Sequence, residues 1–240
     1  AWVLWKFDEM LSSIIDKTNM YFSIEKVLIS KGITSIGAFS FPTFNYDFFE
    51  LPNSIKSIGE SAFRECTSNS TEINFPDSVV SIGDYAFENS DFSGKKILFP
   101  NALKSIGRNA FYFCGLESMT LPEGLETIGE RAFAHNHFEQ VTIPSSTNNI
   151  GPYSFTGCYL LKNIHLSYGL KRINPSAFAS MNAGPEICSI IIPDSVEYVG
   201  ENAFYNLRSL QYLQLPSKLD TNNLEEGAFL ESFHYKYPKS

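Results

Sequence analysis

Residues 116–133 read LESMTLPEGLETIGERAF, and the fold follows from this stretch. Leu116, Met119 and Leu121 have the form L-x-x-I-x-L. The last two apolar positions lie two apart, so they point to the same side of an extended strand, inward. Pro122 then ends the strand, because it has no N–H to give to a ladder. A second local signal comes one unit earlier. In residues 106–114, IGRNAFYFC, the apolar or small residues Ile106, Ala110, Phe111 and Cys114 stand at i, i+4, i+5 and i+8. That spacing predicts a short helical turn with one buried face.

Outward from this stretch the same signals recur along the chain. Ala-Phe appears at Phe63, Phe87, Phe111, Phe133, Phe178, Phe204 and Phe229, and Ser-Phe fills the slot at Phe41 and Phe155. Four residues before most of them stands Gly37, Gly59, Gly83, Gly107, Gly129, Gly151 or Gly200. An apolar-Pro step closes a strand at Pro52, Pro76, Pro100, Pro122, Pro144, Pro193 and Pro216. The reading is nine units of about 23 residues over 24–229. The recurrent glycine is expected at a positive φ, which glycine tolerates without steric cost. Asn174 and Glu225 are the departures. The small residue before each Phe is expected where the next coil passes close.

The pattern L-x-x-I-x-L-P-x-x-[VIL]-x-x-I-G-x-x-A-F-x-x-C resembles the BspA-like, or Treponema pallidum-type, leucine-rich repeat. The resemblance implies an α/β solenoid, right-handed, of nine coils, with a parallel sheet on one face and short helical turns on the other. It also implies a non-catalytic module for protein–protein interaction, of a kind associated with adhesion to host matrix and cell-surface proteins. A cell-surface or secreted location goes with it. The alternative is an intracellular scaffold in a cytoplasmic or cytoskeletal assembly. Residues 1–23 do not fit the repeat; Leu4, Phe7, Leu11, Ile14 and Ile15 have helical spacing and read as an N-terminal cap. Residues 230–240 read as a C-terminal cap or tail.

Composition narrows the partners. The 240 residues carry 18 Lys+Arg against 26 Asp+Glu, a net charge of −8. Nucleic acid needs a basic footprint, and an anionic bilayer needs the same. No apolar run reaches the ~18 residues of a transmembrane helix. No cofactor, metal or catalytic constellation is expected. A phosphate loop ending at Gly94-Lys95-Lys96 would need glycine at position 89, which is Asn89. His135 and His137 are too few ligands for zinc. Cys66, Cys114 and Cys158 fill the slot three after the Phe in alternate units. Alternate coils lie about 10 Å apart, beyond the ~7 Å a disulfide spans. With Cys188 they are expected to be buried thiols acting as small hydrophobes.

The surface left for binding is the outward side of the strands. There the unit gives Lys26/Leu28, Phe48/Glu50, Glu72/Asn74, Lys96/Leu98, Ser118/Thr120, Gln140/Thr142, Asn163/His165, Ser189/Ile191 and Tyr212/Gln214. Exposed apolar residues are candidate anchors and mixed charge sets register. The candidate partner-binding residues are therefore Leu28, Phe48, Glu50, Lys96, Leu98 and Tyr212. Tyr112, Phe113 and Tyr205, on the expected helical side, form the second surface.

Overall fold

The computed structural model describes residues 23–26, 29–43, 45–48, 51–68, 70–179 and 187–232, with backbone only at 23–26 and 45–48. Each of the first eight repeats contributes one strand to each of two parallel columns. The first column is a single sheet of eight two-residue strands, from Ser35–Ile36 to Tyr198–Val199, in chain order. Ile36, Ile58, Ile82, Ile106, Ile128, Ile150, Ile173 and Val199 lie in register along it, all buried. These are the residues just before the repeated glycine, a strand that the sequence pattern did not separate from the turn after it. The second column holds the L-x-x-I-x-L strands in four short sheets. All pairing is parallel, so each crossover must travel round the coil and return to the same side.

The helical side does not form. Among the described residues there is no α-helix, and the Gly-to-Phe segments are stacked turns. The backbone N–H groups explain this. Ser61, Phe63 and Glu65 donate to Asp84, Ala86 and Glu88 of the next coil at 2.8 Å each. An N–H spent along the solenoid axis is not available to the carbonyl four residues back. The turns are held by two rows of left-handed residues, at Phe−2 and Phe+2, such as Ser61 and Glu65 or Arg131 and His135. A helix does not tolerate that alternation.

The repeated glycines are not among the positive-φ residues, contrary to the sequence expectation. They are required by close approach. A Cβ on Gly129 would lie 2.5 Å from the carbonyl carbon of Gly107, and one on Gly151 2.6 Å from that of Gly129. Gly59, Gly83, Gly107, Gly129 and Gly151 each pack bare against the glycine of the coil before, and Gly200 packs against Asn174 and Pro175. Asn174 is accommodated because its amide donates to Asn149 Oδ1 and to the Ile150 carbonyl.

The nine sequence units do not become nine closed coils. Eight rungs of the long sheet enclose about seven turns. The last unit joins this sheet by one bridge, Val199 to Leu224, because its extra residues form a 3-10 turn, Thr221–Asn223, capped by Asp220. The nine Phe rings nevertheless stack continuously from Phe41 to Phe229, with centroids 5.1–5.6 Å apart and planes within 15°. Such offset pairs add to the burial term, itself about 2–3 kcal/mol per ring.

In six units the slot three after the Phe is a donor position more than a small apolar one. Cys66, Ser90, Cys114, Asn136, Cys158 and Ser232 each donate from the side chain to the Phe carbonyl one coil back, at 2.8–3.3 Å in the first five. Burial pushes the Cys158 thiol up to about 12 and raises Cys114 as well. Cys188, expected to be buried, is exposed, because it precedes the Ser189–Ile191 strand at the rim of the face. Ser23, assigned to the N-terminal cap, already belongs to the first strand. The rest of that cap, most of the tail and residues 180–186 lie outside the described residues.

Candidate binding face

The strands of the second column alternate outward and inward, as Glu72–Asn74 and Lys96–Leu98 show with one buried residue between two exposed ones. Register carries this from strand to strand. Glu72 pairs with Lys96, Asn74 with Leu98, and Leu98 with Thr120. Gln140 pairs with Asn163, Thr142 with His165, Ser189 with Tyr212 and Ile191 with Gln214. Two outward rows result, and every member from Glu72 to Gln214 is exposed.

Of the six candidate residues, Lys96 and Leu98 are brought together. Both line a groove of about 440 Å³ with Glu117, Thr120, Glu139 and Gln140. Leu98 is 41% exposed. The Glu139 carboxylate holds Lys162 at 3.0 Å on the groove's flank. The groove lies where the Met119–Thr120 and Gln140–Ile143 strands belong to different sheets. Tyr212 is exposed at the far end of the face, its hydroxyl donating to Gln214 Oε1 at 3.2 Å, and it does not line the groove. Phe48 lies opposite Lys26 in the first short sheet. Leu28 and Glu50 are outside the described residues. Phe48 and Leu98 are not on neighbouring strands. The second unit is lengthened between Cys66 and Ile73, and Thr67–Ser68 pairs back onto Asn45–Tyr46, so a separate sheet starts at Glu72.

The turn side carries a surface that the sequence reading found only in part. Tyr112 packs edge-on to His135 at 5.3 Å, and His135 to Tyr159 at 6.2 Å. Phe113 is 60% exposed beside them. Partial burial holds the His135 imidazole below its usual pKa. Tyr205, grouped with this surface on sequence grounds, is half-buried several coils away. The signal that would have found Tyr159 is Gly157, which removes a side chain from the His135 slot of the next coil and leaves room for a ring. An added Cβ there would lie 2.6 Å from the imidazole.

The profile of the BspA type leucine rich repeat region matches residues 12–93, 90–184 and 183–237, in six copies. The chain belongs to the BspA-type leucine-rich repeat family. Several solved structures are similar to it. A leucine-rich repeat protein from Bacteroides ovatus is 24% identical over 86% of this chain, with a TM-score of 0.41. A leucine rich cell surface protein from Faecalibacterium prausnitzii is 20% identical over 82% of this chain and 69% of its own, with a TM-score of 0.42. The T. pallidum leucine rich repeat protein is 19% identical over 85% of this chain and 80% of its own, with a TM-score of 0.42. The chain spans 59% of the Bacteroides ovatus protein's length. No curated protein matches it. No helix among the described residues is long and apolar enough to cross a membrane.

Proposed function

We propose that this BspA-type repeat chain is a non-catalytic recognition module that binds a protein partner at the cell surface through its strand face. The observation that carries the reading is the juxtaposition of Lys96 and Leu98 in the groove with Glu117 and Glu139. An apolar anchor among charges of both signs suits a protein surface, where the anchor supplies affinity and the charges set register. Membership of a repeat family whose coils present an extended surface supports the same reading. The buried thiols do not bear on compartment, since desolvation keeps Cys114 and Cys158 protonated and inert.

The test compares wild type with a Lys96→Glu/Leu98→Asp double variant of equal melting temperature, in capture from the surface fraction of source cells. Loss of the captured protein in the variant is the expected result. Equal capture overturns the assignment and moves the site to the stripe of Tyr112, Phe113, His135 and Tyr159.

A further inference from the structure

The positions that follow the ladder Phe carry charge in the second, third, eighth and ninth units, at Arg64 and Glu65, Glu88 and Asp91, Arg208, and Glu231. The fourth, fifth and sixth units differ. Residues 111–115, 133–137 and 155–160 read FYFCG, FAHNH and FTGCYL, without one Asp, Glu, Lys or Arg. Rings stand there instead. They form a band along the turn side in the order Phe113, Tyr112, His135, Tyr159, with centroids 6.4, 5.3 and 6.2 Å apart.

The scaffold does not ask for these rings. Phe113 has φ 52°, in the left-handed region that a bulky side chain enters only at a cost. The same slot holds Thr43, Glu65, Asn89 and Asn206 in other units, so the turn needs no ring. Phe113 is 60% exposed and Tyr159 37%, so neither is there to fill the core. A contiguous exposed apolar patch of this kind marks a binding surface.

The chemistry of the band selects its ligand. It holds no charge to recognise an ionised group. The face of an aromatic ring is electron-rich, and the C–H bonds on one side of a pyranose ring lie well against it while the sugar hydroxyls reach outward. Polar groups stand where such hydroxyls would arrive: the phenols of Tyr112 and Tyr159, the imidazole of His135 and, two residues on, the exposed His137. Partial burial favours the neutral form of His135, which both donates and accepts, as a sugar hydroxyl does. The rings follow one another along the solenoid axis at about the coil spacing, so a chain of sugars laid along that axis meets them in turn.

We infer that this band binds a neutral oligosaccharide. Phe113 and Tyr159 are the stacking platforms, and Tyr112, His135 and His137 exchange hydrogen bonds with the sugar hydroxyls. None of these residues lines the groove of the strand face, so the site is additional to the protein recognition proposed there.

Titration of the full chain with cellohexaose, chitohexaose and mannohexaose, followed by NMR at the His and Tyr ring protons, tests the assignment. Saturable shifts at His135 and Tyr159 with at least one of the three are the expected result. Phe113→Ala and Tyr159→Ala, at unchanged melting temperature, should each weaken that binding by about tenfold or more. The Lys96→Glu/Leu98→Asp variant should bind the sugar as wild type does, which keeps this outcome separate from that of the capture experiment. No saturable shift with any of the three, or equal affinity in Phe113→Ala, overturns the inference. Equal or tighter binding of an anionic hyaluronan hexasaccharide overturns the neutral class. Loss of a captured protein in Phe113→Ala without any response to the sugars also overturns it, in favour of a protein partner on the band.

Discussion

The stack of turns and the strand face come from the same repeat, yet they constrain the sequence differently. In the turns nearly every slot is dictated by the coil before it. Glycine is set by an approach of 2.5–2.9 Å in the coils after the first, Phe by the ring ladder, and the residue three beyond by a carbonyl needing a donor. On the face, the outward row runs Glu72, Lys96, Ser118, Gln140, Asn163, Ser189 and Tyr212, with no common chemistry. Nothing inside the molecule selects these residues. Repetition therefore marks the scaffold, and its absence marks the surface free to take on a partner.

The sharpest way to test the comparison is to remove one ring from the ladder. Phe133 is 0% exposed, stacked on Phe111 at 5.6 Å and on Phe155 at 5.5 Å. Phe133→Ala is expected to cost about 3–5 kcal/mol in a denaturant titration, the range for a buried Phe. A loss below about 1 kcal/mol would mean that the ladder does not carry the fold.

Gly129→Ala comes next. The added carbon meets the Gly107 backbone at 2.5 Å, and backbone cannot swing aside as a side chain can. Overpacking of this kind is expected to cost about 1–3 kcal/mol. Gly37→Ala is the control. It lies in the first coil, where the nearest atom is the Ser40 hydroxyl at 3.4 Å, and its melting temperature should hardly move.

The repeat, the inward residues of the strands and the Phe ladder were legible in sequence because each rests on a period or a side-chain type. What was not legible depends on distances between coils. Ile106-Gly107 through Cys114 has the spacing of an amphipathic helical face, and stacked turns bury the same residues while sending their N–H groups along the axis. The same limit hid the reason for Gly129. Glycine at a turn reads as conformational freedom until the neighbouring backbone is seen. Of the candidate site, exposure at Lys96, Leu98 and Tyr212 followed from alternation, whereas the break between the sheets of Phe48 and Leu98 arose from a local lengthening after Cys66.

A smaller effect of opposite sign is expected at Ser154, which fills an alanine slot of the stack. Its hydroxyl is fully buried and has no hydrogen-bond partner among the described residues. Ser154→Ala restores the residue used in most other units and removes the unpaired group, so it should stabilise by about 1 kcal/mol. Destabilisation in the same titration would show that the hydroxyl is bonded after all.

The face should give the smallest response. Leu98 is 41% exposed, and its strand is held by the buried Ile97 and by pairing on both sides. Leu98→Ser leaves those bonds intact and removes apolar surface that already meets water. Stability should stay within about 0.5 kcal/mol of wild type, the usual range for surface substitutions. A larger loss would mean that Leu98 is part of the packing along the sheet and is not free to serve a partner. The same variant, stable but impaired in capture, would separate scaffold from binding surface at one residue, with the buried Ile97 beside it left to the scaffold.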